Sequence, residues 1–295
     1  SRPSTTFWKD AIGRLMKNKV AVVCFFIIVL LILSCIIVPF FSPFESREQH
    51  LGEVNKGFMT VCTDSRYEGQ HHVHYFGTDN LGRDLFLRAF EGGRVSLMIA
   101  FAAVFVNLIV GLIYGGISGY IGGAVDTIMM RIVEIVNGIP YLIVVILLMM
   151  VLPKGIFTMV VAYGITGWTG MARLVRGQVL QLKSQEYIVA AEAMGARSSR
   201  IIAKHLIPNA LSVIIINVTL AIPSAIFTEA FLSYIGLGVP VPQPSWGVLA
   251  KGGQDVFMTY PYQLVVPAVA ISLTMLSFNL LGDGLRDAFD PRLRR

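Results

Sequence analysis

Few side chains in this sequence have the type and spacing that catalysis requires. The apolar stretches contain no pairing of serine with histidine or of two aspartates. The sequence also lacks the H-E-x-x-H pattern of zinc proteases and the G-x-x-x-x-G-K-[ST] loop that cradles nucleotide phosphates. We therefore expect a chain that is not an enzyme, that holds no cofactor, and that takes any free energy from a partner.

Polar side chains inside the apolar stretches are the remaining candidates for a functional role. Arg131 and Glu134 are three residues apart, and a local ion pair on one helix face is the favoured interpretation. Glu229 either lines a path for a polar solute or pairs within a helix bundle, and both interpretations stay open. Asn217 suits a hydrogen bond between helices as well as such a path. The candidate lining residues are Asn217, Glu229, Tyr234 and Trp246.

Histidine and cysteine are too poorly spaced to predict a metal site. His71, His72 and His74 form an H-H-x-H run without a second cluster, which favours a solvated loop. Cys24 and Cys35 lie on one apolar stretch, too far apart along a helix for a disulfide. Cys62 has no obvious partner. We expect three free thiols and no metal.

The elements that position these residues are apolar helices. Of the 295 residues, 55% are hydrophobic and 14% are charged, against about 25% charged in soluble domains. A spanning helix needs about 20 mostly apolar residues. Six stretches meet that need: 20–41, 95–119, 127–152, 155–174, 208–236 and 264–281. The sequence predicts an all-α integral membrane protein, whose first stretch is too long for a signal peptide and is retained.

Lysine and arginine indicate the orientation. Positive residues concentrate in segment 1–19, in the loop after the fourth stretch and in tail 282–295. Because short basic segments stay on the cytoplasmic side, we expect both termini inside the cell. The net charge of +6 then reflects topology rather than nucleic-acid binding. Segments 42–94 and 239–263 lie outside, and the core runs from 95 to 281.

The loop from 184 to 208 has a composition of its own. We predict two short helices separated by a turn at Gly195, with Pro208 opening the next spanning helix in its first turn. The first short helix is lined with alanines, including Ala190, Ala191 and Ala196. Small residues allow another backbone to approach closely, so this helix is expected to fit a protein socket.

That loop resembles the EAA loop of ABC-importer permeases, whose pattern is Glu-Ala-Ala, three residues, Gly, nine residues, Ile-x-Leu-Pro. Matching positions are Ala190, Ala191, Gly195 and Pro208, whereas the positions that differ are Val189, His205 and Ile207. Further segments resemble oligopeptide and dipeptide permease C subunits, the Gram-positive oligopeptide permeases above all. They are YFGTDNLGRD at 75–84, GGRVSL at 92–97, ARLVRGQ at 172–178, GLG at 236–238, PSWG at 244–247 and GDGLRDAFDPR at 282–292.

The resemblance implies a six-helix transmembrane domain of the type I ABC-importer fold in a bacterial plasma membrane. It implies half of a pathway for oligopeptides, shared with a homologous B-type permease. It further implies two ATPases, of D and F type, which bind ATP and Mg²⁺, and an extracellular peptide-binding lipoprotein. The residues expected to couple to an ATPase are Glu186, Tyr187, Ala190, Ala191, Glu192, Gly195, Ala196 and Pro208.

Three other classes compete with this interpretation. A secondary transporter or channel would show inverted repeats and broken helices with paired charges, and neither is evident from the sequence. A non-transporting membrane anchor would not need the elaborate segment 239–263. An intramembrane enzyme lacks its catalytic residues. Nickel, which relatives of peptide permeases import, is favoured by no residue pattern here.

Overall fold

A computed structural model describes residues 7–64, 72–188, 194, 201–202 and 206–289. The chain opens with two helices, α1 (Phe7–Lys17) and α2 (Lys19–Phe41). They are separate because Asn18 adopts an extended conformation and caps α2, its side chain accepting a hydrogen bond from the Ala21 N–H at 3.2 Å. The helix α2 corresponds to the first predicted span.

A long connection follows α2, and its described residues, 42–64 and 72–84, contain little regular structure. It holds one 3₁₀ turn (Leu51–Glu53) and two short strands, β1 (Thr60–Val61) and β2 (Val73–His74). The strands pair antiparallel, with Thr60 opposite His74. The connection ends at Asp84, which caps the next helix by accepting the Leu87 N–H at 2.7 Å.

The longest helix is α3 (Leu85–Ile121), which begins ten residues before the predicted span 95–119. Later come α8 (Ile207–Tyr234), α9 (Trp246–Asp255) and α10 (Tyr262–Phe289). Pro208 lies in the first turn of α8, which confirms that prediction. We call the end of the bundle that carries the described residues of 42–84 and 235–261 the loop end. Arg88 of α3 donates to the Pro242 carbonyl at this end, and Tyr262 and Gln263 of α10 donate to the Lys56 carbonyl and to Asn55 Oδ1.

Two predicted spans are not single helices. The stretch 127–152 divides into α4 (Gly123–Asn137) and α5 (Tyr141–Val151), bent by 78°. Pro140 lacks an N–H and disfavours helix at the residue before it, so the helix ends at this point. The stretch 155–174 divides into α6 (Ile156–Thr166) and α7 (Trp168–Lys183). At Gly167 the Asn107 side chain occupies the space that a Cβ would need.

Four helices in the described residues are long and apolar enough to cross a membrane alone, and the bent pair raises the number to five. The four are Lys19–Phe41, Leu85–Ile121, Asn209–Tyr234 and Tyr262–Phe289. The six predicted stretches therefore correspond to four continuous helices and two stretches that are each divided into two helices.

Glycines on α3 set the closest helix contact. A Cβ at Gly111 would lie 2.5 Å from the Met171 Cβ, one at Gly115 would overlap the Ala172 carbonyl, and one at Gly119 would lie 2.9 Å from the Arg176 carbonyl oxygen. This face therefore packs against α7 within the same chain. Cys24 and Cys35 lie buried in the apolar core of the bundle, and all three cysteines are free.

Candidate functional site at the loop end

The short helix α9 is inserted into the loop end of the bundle. It begins at Ser245, whose hydroxyl accepts the Val248 N–H at 3.2 Å. Trp246 is 1% exposed, and its indole N–H donates to the Ala89 carbonyl of α3 at 2.9 Å. Its backbone N–H donates to Ser96 Oγ at 3.1 Å. The segment predicted to cap this end is thus a helix anchored to α3.

A cleft of about 710 Å³ opens beside α9. Its ionisable lining residues are Asp79, Arg83, Arg88, Lys154, Lys251 and Asp255. Asp79 accepts a hydrogen bond from Arg83 Nε at 2.7 Å and lies 3.7 Å from Arg88 Nε. Arg88 is buried and also donates to the Ser46 carbonyl at 2.7 Å. Four cations and two carboxylates therefore surround the cleft, which favours an anionic or carbonyl-rich occupant.

Three of the four predicted pathway residues lie at this end. Tyr234 is half-buried, and Lys251 Nζ lies 5.7 Å from its ring centroid. Glu229 is buried and accepts a hydrogen bond from the Ser233 hydroxyl at 2.8 Å. None of the three belongs to the lining of the cleft, although Tyr234 contacts the lining residue Lys251.

Asn217 lies apart from the other three. Its side-chain amide donates to the Val213 carbonyl at 2.8 Å, one turn earlier on α8. It lines a separate pocket of about 310 Å³ together with Asn107 and Gly167, at the break between α6 and α7. The four residues therefore do not form one continuous surface.

Sequence reasoning missed the charged residues of the cleft. Arg83 and Asp79 lie within the 75–84 motif, where a turn at Gly82 with φ of +72° folds the segment back. Lys154 is a single charge in the connection between α5 and α6, and Lys251 lies within α9. A search for charges beside glycine turns at one end of the helices would have indicated Arg83 and Asp79, but nothing in the sequence brings Lys154 beside them.

At the opposite end of the bundle, α3, α4 and α7 are tied together by charge. Arg176 Nε and Nη2 each lie 2.5 Å from a carboxylate oxygen of Asp126, and Ser118 donates to the same carboxylate. Lys183 Nζ donates to the Tyr120 carbonyl at 2.6 Å. This network fixes the helix end from which the predicted coupling loop departs.

The predicted coupling residues are only partly described. Glu186 and Tyr187 are exposed just after α7, whereas Ile188 is buried against Ile201 and Leu206. The other predicted members, Ala190, Ala191, Glu192, Gly195 and Ala196, lie outside the described residues. Pro208 lies in the first turn of α8, as predicted.

Arg131 and Glu134 form the local ion pair that the sequence favours. Arg131 Nη1 donates to Glu134 Oε2 at 2.7 Å, and both side chains are well exposed. The pair lies on one face of α4, as expected for residues three apart on a helix.

His74 contradicts the expectation of a solvated histidine loop. It is fully buried, with Nδ1 2.8 Å from Asp84 Oδ1 and Nε2 3.0 Å from Glu53 Oε2. Burial lowers the pKa of His74, but the two carboxylates outweigh it and hold that pKa above its ordinary value. Burial raises the pKa of Glu53, yet hydrogen bonds from Thr63, His74 and Cys62 leave it below its usual range. His71 lies outside the described residues.

One group of described side chains has the types and proximity to share a metal ion. It consists of His50, Glu53 and Cys62, all three buried in the long connection after α2. None of the three lines the cleft.

Long apolar helices, a bent helix pair and a short inserted helix define an integral membrane protein that crosses the bilayer several times. The family described as "Binding-protein-dependent transport system inner membrane component" matches residues 107–295. The "N-terminal TM domain of oligopeptide transport permease C" matches residues 6–57. The chain belongs to the binding-protein-dependent transport system inner membrane component family.

Curated relatives match along the whole chain. The oligopeptide transport system permease protein OppC of Bacillus subtilis (strain 168) is 50% identical over 295 residues, covering 100% of this chain and 93% of the relative. The dipeptide transport system permease protein DppC of the same strain is 48% identical, covering 100% and 88%. OppC of Escherichia coli (strain K12) is 44% identical, covering 98% and 92%.

Solved structures with the same fold are ABC importers. A chain of the inward-facing MetNI methionine ABC transporter superposes with a TM-score of 0.56 at 20% identity, covering 68% of this chain and 96% of that chain. A second crystal form of that transporter gives a TM-score of 0.53 at 22% identity, covering 69% and 97%. The fold is therefore that of an ABC-importer transmembrane domain, as the sequence predicts, and the chain is a permease subunit.

Proposed function

We propose that this chain is the C-type permease of an ATP-driven oligopeptide importer and forms half of its translocation pathway. The observation that carries the proposal is the 50% identity to an oligopeptide permease along the whole chain. The cation-rich cleft at the loop end supports it, because a peptide presents a terminal carboxylate and a row of carbonyl groups.

The complex needs further subunits. Half of the pathway comes from a homologous B-type permease, and two ATPases of D and F type bind ATP with Mg²⁺. An extracellular peptide-binding lipoprotein delivers the peptide. This chain contributes no catalytic group of its own. The exposed apolar side chains along its helices, such as Phe26, Leu30 and Ile113, suit contact with lipid and with the second permease.

We place both termini in the cytoplasm of a bacterial cell, on the basis of the distribution of lysine and arginine. Segments 1–19 and 282–295 are then cytoplasmic, and 20–41 is the first spanning helix. Segments 42–94 and 239–263 are extracytoplasmic. The cleft faces the binding protein, and the loop 184–208 faces the ATPases.

Of the predicted pathway residues, Tyr234 is the best candidate for contact with the peptide, because it lies partly exposed beside Lys251. Glu229 and Trp246 act from beneath by supporting α9 against α3. Asn217 lines the pathway further from the loop end, at the break between α6 and α7.

Uptake of a labelled oligopeptide into proteoliposomes tests the proposal. The complete complex is reconstituted with ATP on the ATPase side and the binding protein on the other. We expect uptake that requires this chain, ATP and the binding protein. Equal uptake after omission of this chain would contradict the proposal, as would purification of the chain alone in a detergent that preserves known membrane complexes.

Coupling is tested by Gly195→Asp in the proposed coupling loop. A carboxylate and extra volume at the turn should block docking into an ATPase, so we expect loss of most transport and of transport-linked ATP hydrolysis. The variant should still reach the membrane at the normal level. Gly177→Asp, on an exposed and open position of α7, is the control. Normal uptake by the Gly195 variant would refute its role.

A further inference from the structure

Three side chains with metal-ligating atoms converge in the long connection after α2. His50, Glu53 and Cys62 are 1%, 2% and 7% exposed. One ligand atom from each lies within 4.8 Å of the other two. His50 directly precedes the 3₁₀ turn, Glu53 is the last residue of that turn, and Cys62 follows β1.

Neighbouring side chains hold two of these groups in ligating geometry. Asp64 Oδ2 lies 2.9 Å from His50 Nδ1, so the tautomer with its proton on Nδ1 donates to this carboxylate and leaves Nε2 as the ligating atom. A carboxylate bonded to the far nitrogen in this way is the usual outer partner of a metal-binding histidine. Glu53 Oε1 accepts hydrogen bonds from the Thr63 backbone N–H and hydroxyl, and Oε2 faces His74 Nε2 at 3.0 Å.

We propose that His50 Nε2, a Glu53 carboxylate oxygen and Cys62 Sγ bind one Zn²⁺ ion. A mixed set of imidazole, carboxylate and thiolate is typical of zinc. Bond lengths of about 2.0–2.3 Å place ligand atoms about 3.3–3.8 Å apart on a tetrahedral ion, so a group within 4.8 Å needs to close by at most about 1.5 Å on binding. Water takes the fourth position, or Glu48, whose Oε2 lies 3.8 Å from His50 Nε2.

The charge of the site balances on binding. Cys62 releases its thiol proton to solvent as the Zn–S bond forms, and no electron is transferred. The thiolate and the Glu53 carboxylate then carry two negative charges against the two positive charges of the ion. Zinc binding therefore weakens as the pH falls, because the proton competes for the sulfur.

The ion would stabilise a segment that has little core of its own. Its buried apolar cluster consists of Phe44, Cys62 and Leu87, and its strands are two residues long. Small units of this kind usually need a metal or a disulfide. The same segment forms one wall of the cleft through Gln49, Asp79 and Arg83. Its Asn55 Oδ1 also accepts a hydrogen bond from Gln263 Nε2 at 2.8 Å. A zinc ion would hold that wall in place.

Metal content of the purified complex tests the proposal. Wild type is incubated with ZnSO₄, desalted and measured by atomic emission. We expect one equivalent of zinc more than in complexes carrying Cys62→Ser or His50→Gln. Cys24→Ser and His72→Gln, which change the same residue types outside the group, should keep that equivalent. Equal zinc in wild type and Cys62→Ser would overturn the site.

A second measurement needs no variant. Wild-type complex, either zinc-loaded or chelator-treated, is alkylated at alkaline pH, and the peptide containing Cys62 is followed by mass spectrometry. Bound zinc should slow alkylation of Cys62 by tenfold or more and leave Cys24 unchanged. Equal Cys62 rates in the two samples would show a buried hydrogen-bonded cluster only. Neither measurement depends on transport, so failure of the zinc site and failure of the proposed function are separate results.

Discussion

Trp246 fixes the position of α9 through one side chain. Its indole fills the space left by Gly93, where a Cβ would lie 2.7 Å from Cζ2, and its N–H is paired with the Ala89 carbonyl. Because α9 forms one side of the cleft, the geometry of the cleft depends on this contact.

Trp246→Ala should destabilise the protein by about 3–5 kcal/mol, since it leaves a large cavity and removes the hydrogen bond from the indole N–H to the Ala89 carbonyl. Trp246→Phe keeps most of the ring and should cost less. The measurement is the melting temperature of the purified complex in detergent. Phe40→Ala is the control, because Phe40 is 75% exposed. A Trp246→Ala melting temperature equal to that of the control would contradict the anchoring role.

Local rules predicted some single residues correctly. The position of Pro208 follows from its missing N–H, and the Arg131–Glu134 pair follows from helix periodicity. The group of His50, Glu53 and Cys62 could not be predicted, because turns unrelated to the ligand pattern bring it together. One of them is Gly82, with φ of +72°, where a Cβ would overlap the carbonyl of His50.

Two of the predicted spans are interrupted, and these interruptions concern whole helices rather than single residues. Hydropathy averages across Gly138 and Pro140, so it shows one apolar stretch where the chain bends by 78°. The break at Gly167 depends on Asn107 of α3, which no local window contains. Helix content was predictable from composition, whereas helix continuity depends on contacts between distant residues.

The α3–α7 contact should be intolerant of added volume. Gly115→Ala places a Cβ against the Ala172 carbonyl and should destabilise by about 1–3 kcal/mol. Gly177→Ala, on open α7 surface, should be neutral or slightly stabilising because alanine favours helix. Thermal unfolding of both variants in the same detergent checks the difference. Equal melting temperatures would argue against close packing here.

The Asp126–Arg176 pair should contribute more than an ordinary surface pair. Asp126→Asn and Arg176→Gln are expected to cost about 1–3 kcal/mol each and to show strong coupling in a double-mutant cycle, because both carboxylate oxygens are engaged. The exposed Arg131–Glu134 pair is the matched control, with about 0–1 kcal/mol. Coupling energies no larger than in the control would contradict this ranking.

The whole molecule has two chemically different ends. The loop end carries the charged cleft, and the opposite end carries the Asp126–Arg176 network and the start of the coupling loop. Lysine and arginine predict which end faces the cytoplasm, and this stays a prediction. The shape of the cleft could not be predicted, because residues as distant in sequence as Gln49 and Gln263 line it.

Labelling of single cysteines checks this sidedness in intact cells. Met258→Cys, at a position 96% exposed at the loop end, should react with a membrane-impermeant maleimide from outside. Tyr187→Cys should react only after the membrane is permeabilised. The native cysteines give little background because all three are buried. The reverse pattern would invert the proposed orientation.

The length of α3 has a mechanical consequence. Thirty-seven helical residues make a rod of about 55 Å, nearly twice the hydrocarbon thickness of a bilayer. Asp84 secures one tip of this rod to the long connection, and Ser118 joins the other to the Asp126–Arg176 network. A tilt of about 10° imposed at one tip displaces the other by about 10 Å. A rigid-body tilt of α3 that begins on one side of the membrane would thus move residues on the other side, without any helix having to unfold.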